Sequence, residues 1–223
     1  MTLRIRGLLG PGLVVLAQLA LAALVARFGT IAPVPMHFNA AGQVDRWGDR
    51  AESAWMVVFV AVLTALVSAG LALSRGRLRP AGTGLAVVQA VMLLVFSGLA
   101  GLMAAFGFGL VHADGAAGPL GMATLWLVLG AIGAVLGKTP PNAVVGVRTP
   151  WSRASRLSWD KSNRLAGRLF FGAGVMGVLL APLTPEPLGM RASTTVVLII
   201  AGLAVMESWR VWRRDPDRRP IVG

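Results

Sequence analysis

The sequence predicts an all-α polytopic membrane protein. It has six transmembrane helices, both termini in the cytoplasm, and a short β-hairpin-like loop on the outer side between helices 1 and 2. Three observations carry this. The 223 residues are 56% hydrophobic and 13% charged, with a mean hydropathy of +0.72, too apolar and too poor in charge for a soluble globule. The apolar residues gather into six runs, each near the ~20 residues that cross the hydrocarbon at about 1.5 Å per residue. The cations lie between those runs, mostly on one side of them.

The first run, Leu8 to Phe28, follows Arg4 and Arg6. Ala20-Leu21-Ala22 resembles a small-residue cleavage site, but the apolar stretch exceeds the ~7–15 residues of a signal core, so it reads as an uncleaved signal anchor. The remaining runs lie at about Ala54–Leu73, Leu85–Val111, Leu120–Leu136, Leu165–Leu183 and Ala192–Met206. With both termini inside, the cytoplasmic segments hold 17 of the 21 Lys and Arg residues against four acids, and the outer segments hold four against five. The positive-inside rule therefore fixes the orientation. The whole chain, 1–223, forms one membrane domain with an outer loop at 30–53, a cytoplasmic basic segment at 138–168 and a cytoplasmic tail at 207–223.

Net charge +12 and a pI near 12.0 invite a nucleic-acid reading. The cations, however, sit in short blocks between apolar runs rather than along one soluble face, so the partner they indicate is the lipid bilayer and not nucleic acid. Absence of cysteine excludes disulfides, thiolate catalysis and sulfur-ligated metals, and no pattern implies a cofactor. Within the spans, Gly130, Gly133 and Gly137 in the fourth run and Gly98, Gly101 and Gly107 in the third offer small-residue contacts between helices. Gln18 and Gln89 are expected to cross-link helices by hydrogen bonds. No Asp, Glu, Lys or His lies near the middle of a span, which argues against proton- or ion-coupled transport.

The outer loop, APVPMHFNAAGQVDRWGDRAES over 32–53, is too polar to insert. Val34–Phe38 and Gln43–Trp47 predict two strands, joined by Asn39–Gly42, with Gly42 free to take positive φ. Asp49-Arg50-Ala51-Glu52 fits a capping box that opens the second helix. An isolated hairpin is marginal, so this one should pack on other outer loops or helix ends. It brings His37, Asn39 and Asp45 together, and His112 with Asp114 faces the same side, so a divalent metal held by His37, Asp45 and His112 is conceivable. With no HExxH-type pairing, the plainer reading is that these are hydrogen-bonded turn residues.

The stretch 142–168, NAVVGVRTPWSRASRLSWDKSNRLAGR, carries Arg148, Arg153, Arg156, Lys161, Arg164 and Arg168 with Asp160 as its only acid. It predicts an ordered loop from Pro140 to Pro150, then a helix N-capped by Ser155, with Trp159, Asn163, Ala166 and Phe170 at helical spacing and continuing into the fifth span. Trp151 and Trp159 are placed at headgroup depth. Arg148 is expected to hydrogen-bond backbone carbonyls or lipid phosphate, and Gly42 and Gly146 to serve backbone geometry.

Two sets of residues then carry a resemblance. Pro35-Met36-His37-Phe38-Asn39 with Gly42, Asp45 and Trp47 is similar to the small N-terminal domain of unknown function found in many SdpI-family proteins. Asn142, Gly146-Val147-Arg148-Thr149-Pro150-Trp151, Trp159 and Asn163-Arg164-Leu165-Ala166-Gly167 resemble the pattern that gives the SdpI family of bacterial membrane immunity and signal-transduction proteins its identity. The resemblance implies an immunity protein giving resistance to a secreted antimicrobial peptide toxin, not an enzyme, and in some members a receptor that recruits a cytoplasmic transcriptional repressor. It puts His37, Asn39, Gly42, Asp45 and Trp47 on the toxin-facing side. Asn142, Gly146, Arg148, Thr149, Pro150, Trp151, Trp159, Asn163, Arg164 and Gly167 form the cytoplasmic motif. The arginines of 152–158 and the Arg-rich tail depart from the family pattern. Two rivals remain, a membrane-embedded metal-dependent hydrolase and a small transporter or lipid-binding protein. Neither finds its catalytic cluster or polar path in the spacing of residues.

Overall fold

The computed structural model describes residues 2–39, 41–77, 82–111, 118–142 and 144–220. Six helices are long and apolar enough to cross a membrane: α1 (Thr2–Phe28), α2 (Arg50–Arg77), α3 (Gly82–Gly107), α4 (Gly118–Leu136), α6 (Arg156–Leu180) and α7 (Leu188–Arg214). A two-stranded antiparallel hairpin, β1 (Val34–Phe38) and β2 (Val44–Gly48), joins α1 to α2, and a single-turn helix α5 (Pro150–Ala154) precedes α6. Leu13, Leu66, Leu94, Leu127, Leu179 and Leu198 all lie on the outside of the bundle, each over 60% exposed. A perimeter of exposed leucine is an aggregation hazard in water and ordinary against lipid. The protein is a multi-pass membrane protein. Its six alternating spans put the hairpin at one end of the bundle and the loop between α4 and α5 at the other.

Two packing chemistries build the bundle. In the α1–α3 part, aliphatic side chains interlock: Ala22 and Val25 of α1 with Ala54, Val57 and Val60 of α2 and Ala100 and Ala104 of α3. Between α4 and α6, glycines let the backbones touch. A Cβ on Gly130 would sit 3.4 Å from Gly174 Cα, one on Gly137 would sit 3.2 Å from Arg164 Cα, and one on Gly133 would press into the backbone amide of Phe171. A Cβ on Gly167 would in turn meet Gly133 O and Gly137 N, both at 2.9 Å, and one on Gly177 would run into the Trp126 indole. Lipid supplies no hydrophobic drive for helix association, so such close approach is what holds spans together.

Several boundaries differ from expectation for identifiable reasons. The third span ends at Gly107, not Val111, because Gly109 takes φ 71°. Leu110 N–H then bonds Ala105 O at 2.9 Å and Gly109 N–H bonds Phe106 O at 2.9 Å, a Schellman stop that only a residue at ease with positive φ permits. The second strand starts one residue later than predicted. The Asp49 cap forms, its Oδ1 accepting from Glu52 N–H at 2.8 Å, but Glu52 gives its carboxylate to Arg46 at 2.7 Å rather than completing the box. Gly98 and Gly101 meet nothing within 4 Å and do not form the helix contacts assigned to them. Gln18 is 4% exposed, yet neither its amide oxygen nor its nitrogen has a partner among the described residues, so it does not cross-link helices. Nearby hydroxyls bond their own helix instead: Thr64 donates to Val60 O at 2.8 Å.

The two glycine sets predict opposite responses. Gly133→Ala should lower the melting temperature of detergent-purified protein, because backbone on the facing helix cannot step aside and overpacking costs about 1–3 kcal/mol. Gly98→Ala should leave it unchanged or raise it slightly. Equal loss in both would refute the α4–α6 seam.

Candidate functional site

At the hairpin end, β1 and β2 pair Val34 with Gly48, Pro35 with Trp47, His37 with Arg46 and Phe38 with Val44. The turn closes through Asn39, whose Oδ1 accepts from Ala41 N–H at 2.8 Å and Gln43 N–H at 3.1 Å, with Gly42 at φ 74°. Register irregularities on both sides of His37 turn its ring onto the face of Asp45, and His37 Nδ1 lies 2.6 Å from Asp45 Oδ1. Both are well exposed, as is Trp47. His37 and Asp45 are thus brought together as the spacing suggested, while Asn39 spends its side chain on closing the turn. His112, the third member of the conceivable metal set, lies outside the described residues, as does Asp114, and among the described residues no group of three His, Asp or Glu gathers.

The hairpin is docked, not free. Val34 is 2% exposed, and Thr30 N–H bonds Gly107 O at 2.8 Å where α3 ends. A Cβ on Gly42 would sit 2.5 Å from Glu186 Oε2. Glu186 in turn accepts from Met190 N–H at 3.0 Å with that oxygen, so the turn rests on the first turn of α7.

At the opposite end, the loop after α4 is organised by two asparagines and one indole. Asn142 uses its whole side chain: Nδ2 donates to Pro140 O at 2.8 Å and Val145 O at 2.9 Å, and Oδ1 accepts from Val144 N–H at 2.7 Å and Val145 N–H at 2.8 Å. Asn163, on α6 and 1% exposed, accepts from Val147 N–H at 2.7 Å and donates to Trp159 O at 2.9 Å. Trp159 lies beneath the loop with Nε1 donating to Thr139 O at 2.8 Å. Gly146 crosses the indole with φ 141°, and a Cβ there would be 2.6 Å from the ring. Glycine is required twice over, by the dihedral and by the contact.

The same end is tied to α7 by hydroxyls. Thr149 caps α5, accepting from Ser152 N–H at 3.1 Å, and its hydroxyl lies 2.8 Å from Ser208 Oγ; Pro150 occupies the first helical position, where its missing N–H costs nothing. Ser152 donates to Val147 O at 2.6 Å and Ser158 to Ser208 O at 2.6 Å. Ser155 caps α6 as predicted, accepting from Ser158 N–H at 2.9 Å, and donates to Asp215. Asp215 is 5% exposed, and Arg219 N–H bonds Ala154 O at 2.8 Å, so the tail folds back onto the α5–α6 corner.

The structure thus divides the motif residues. Asn142, Gly146, Thr149, Pro150, Trp159, Asn163 and Gly167 build the loop and its seat. Arg148 and Arg164 face outward, and among the described residues neither guanidinium makes a hydrogen bond or ion pair to protein. Trp151 is half-buried. Two expectations are corrected: Trp159 is 1% exposed, a plug in the protein and not a headgroup-depth anchor, and Arg148 does not hold the loop through backbone carbonyls. The exposed indole at this end is Trp209, under Arg213 at 4.8 Å. Sequence reasoning missed Ser152, Ser158, Ser208 and Asp215. A signal was available for Ser158, which lies four residues before Ser162 and so shares a helix face with it on α6.

The model of the SdpI/YfhL protein family matches residues 138–209, which run from just past α4 to just past Ser208. The model of a domain of unknown function, DUF1648, matches residues 13–62, which hold most of α1, the hairpin and the start of α2. No curated protein and no solved structure gives a significant match.

The division between builders and presenters is testable by proteolysis. Asn142→Ala removes four hydrogen bonds, each worth about 0.5–1.5 kcal/mol net, and should speed tryptic cleavage at Arg148 severalfold while lowering the melting temperature. Gly146→Ala should do the same. Arg164→Ala should change stability by no more than about 0.5 kcal/mol.

Proposed function

We propose that this chain, whose residues 138–209 match the SdpI/YfhL family model, is a membrane protein of the immunity type that protects a bacterium from a secreted antimicrobial peptide toxin. It does so in the cytoplasmic membrane, with the hairpin outward and the motif loop in the cytoplasm. His37, Asp45 and Trp47 meet the peptide, offering a carboxylate, an imidazole and an exposed ring edge. Arg148, Trp151 and Arg153 on the other side face a cytoplasmic partner, a transcriptional repressor in the family's receptor members.

One observation carries this reading: the family motif is spent on fixing a loop so that Arg148 is presented without protein partners, while a second, separately matched module is docked at the far end. A motif used only to anchor a span would have no reason to rigidify a loop around an outward arginine. Coupling between the ends requires a body with two positions of different ligand affinity. α7, moving with the α4–α6 pair against α1–α3, is that body in this proposal. Its first turn bonds Glu186 beside Gly42, and its last turns hold Ser208 against Thr149 and Ser158.

Two measurements check the proposal. Expressed in a sensitive bacterium and challenged with peptide toxins, the wild-type chain should protect, and His37→Ala and Arg148→Ala should lose protection at unchanged membrane abundance. Full protection in both variants would refute the site assignment. Because the chain has no cysteine, single replacements report sidedness directly. Gln43→Cys should react with an impermeant maleimide on intact cells and Arg153→Cys only after permeabilisation, and reaction of both on intact cells would overturn the orientation.

A further inference from the structure

The α4–α6 seam leaves a groove on the outside of the bundle. Near the motif end it has a volume of about 500 Å³, with Lys138, Arg164 and Arg168 around its mouth and Phe171 and Ala134 below. It continues past Ala134 and Phe171 into a second stretch of about 370 Å³ lined by Leu127, Val175 and Leu179 and ending at Trp126. No acid lines either part. Among the described residues, none of the three cationic side chains has a hydrogen bond or ion pair to protein.

The depth of these cations decides what they need. Gly137 of the chain meets Arg164, and Gly133 meets Gly167. Since α4 ends at Leu136, Arg164 sits level with the end of that span and Arg168 about one turn, or ~5 Å, inside it. A guanidinium at that depth requires an anion or must snorkel to one. From Lys138 to Trp126 the groove runs about 18 Å, more than half of the ~30 Å hydrocarbon thickness, and below the three cations its walls are apolar. A free phosphate would fill only the mouth, and a soluble partner could not follow the groove into the bilayer.

We propose that this groove is a binding site for one anionic phospholipid. Its phosphate sits between Lys138, Arg164 and Arg168, and one acyl chain lies along the glycine seam to Trp126. Planar guanidinium groups suit a phosphate diester. Basic pockets between spans are where such headgroups settle.

The test uses the full chain purified in neutral detergent, with lipid retention read by native mass spectrometry and by thermal shift. Dioleoyl phosphatidylglycerol should bind roughly 10–100-fold tighter than dioleoyl phosphatidylcholine, the scale set by cations near an anionic headgroup. Arg164→Gln with Arg168→Gln should remove that preference, and Lys138→Gln should reduce it. Ala134→Leu, which fills the groove, should weaken both lipids alike. Circular dichroism and a monodisperse elution profile confirm that each variant is folded. Equal binding of the two lipids by wild type, or a preference that survives the double arginine variant, would overturn the proposal. Displacement of phosphatidylglycerol by millimolar inorganic phosphate would assign the mouth to a free anion and overturn it too.

Discussion

The backbone contact between α4 and α6 is the constraint from which the rest of the molecule follows. Gly133 and Gly167 bring the two helices to a distance at which no side chain fits between them. That approach fixes the level of α6 against the end of α4, and with it the position of Asn163 and Trp159 relative to the loop that leaves α4 at Gly137. Spread the helices by the width of one methyl group and Trp159 no longer reaches Thr139 O, nor Asn163 the amide of Val147. The order of the loop is thus inherited from a dry seam one to two turns away, and polar networks of this kind hold a single geometry only when every member is satisfied.

The asparagine and serine bonds then do at the membrane edge what an aliphatic core does in water. Here the backbone of a half-buried, non-helical loop is satisfied by side chains of the protein itself. Asn142 serves four backbone groups of its own loop, Ser152 holds the Val147 carbonyl, and Ser155 and Ser158 donate across to Asp215 and to Ser208 O of α7. The arginines are left over by this construction. Because neither Arg148 nor Arg164 contributes to it among the described residues, their identity answers to whatever lies outside the protein: lipid phosphate, or a partner.

Most of the architecture was legible in the sequence because membrane insertion leaves few choices. Six apolar runs, lopsided cations and a polar loop with Gly42 at its turn were enough for the spans, the hairpin and its docking, and Ser155 declared itself as a cap. What escaped was whichever property depends on rotation about a helix axis. Gly98 and Gly133 look alike in a string, yet one faces outward and the other meets backbone. Trp159 looks like an interfacial aromatic until Gly146 is seen lying across it. Asp215 belongs to a tail that composition marks only as arginine-rich, and its burial against Ser155 is a contact across sixty residues with no local signature.

The bundle's two packing chemistries also differ in how readily they yield. Between α4 and α6 a shift must drag backbone past backbone, so this pair behaves as one block, with α7 fastened to it by the serine bonds. In the α1–α3 part the contacts are between small aliphatic side chains, alanine and valine, that repack at modest cost, and Gln18 lies there with its amide unpartnered among the described residues, a group that costs about 1–3 kcal/mol to leave unsatisfied. A rearrangement that gave this amide a partner would recover that penalty, whereas none in the glycine seam has anything comparable to gain. The hairpin is joined to the yielding part through α1 and α2 and to the rigid part through Gly42 on Glu186. A load on the turn is therefore resisted at one attachment and accommodated at the other, and this asymmetry lets a contact at the hairpin produce displacement rather than mere binding.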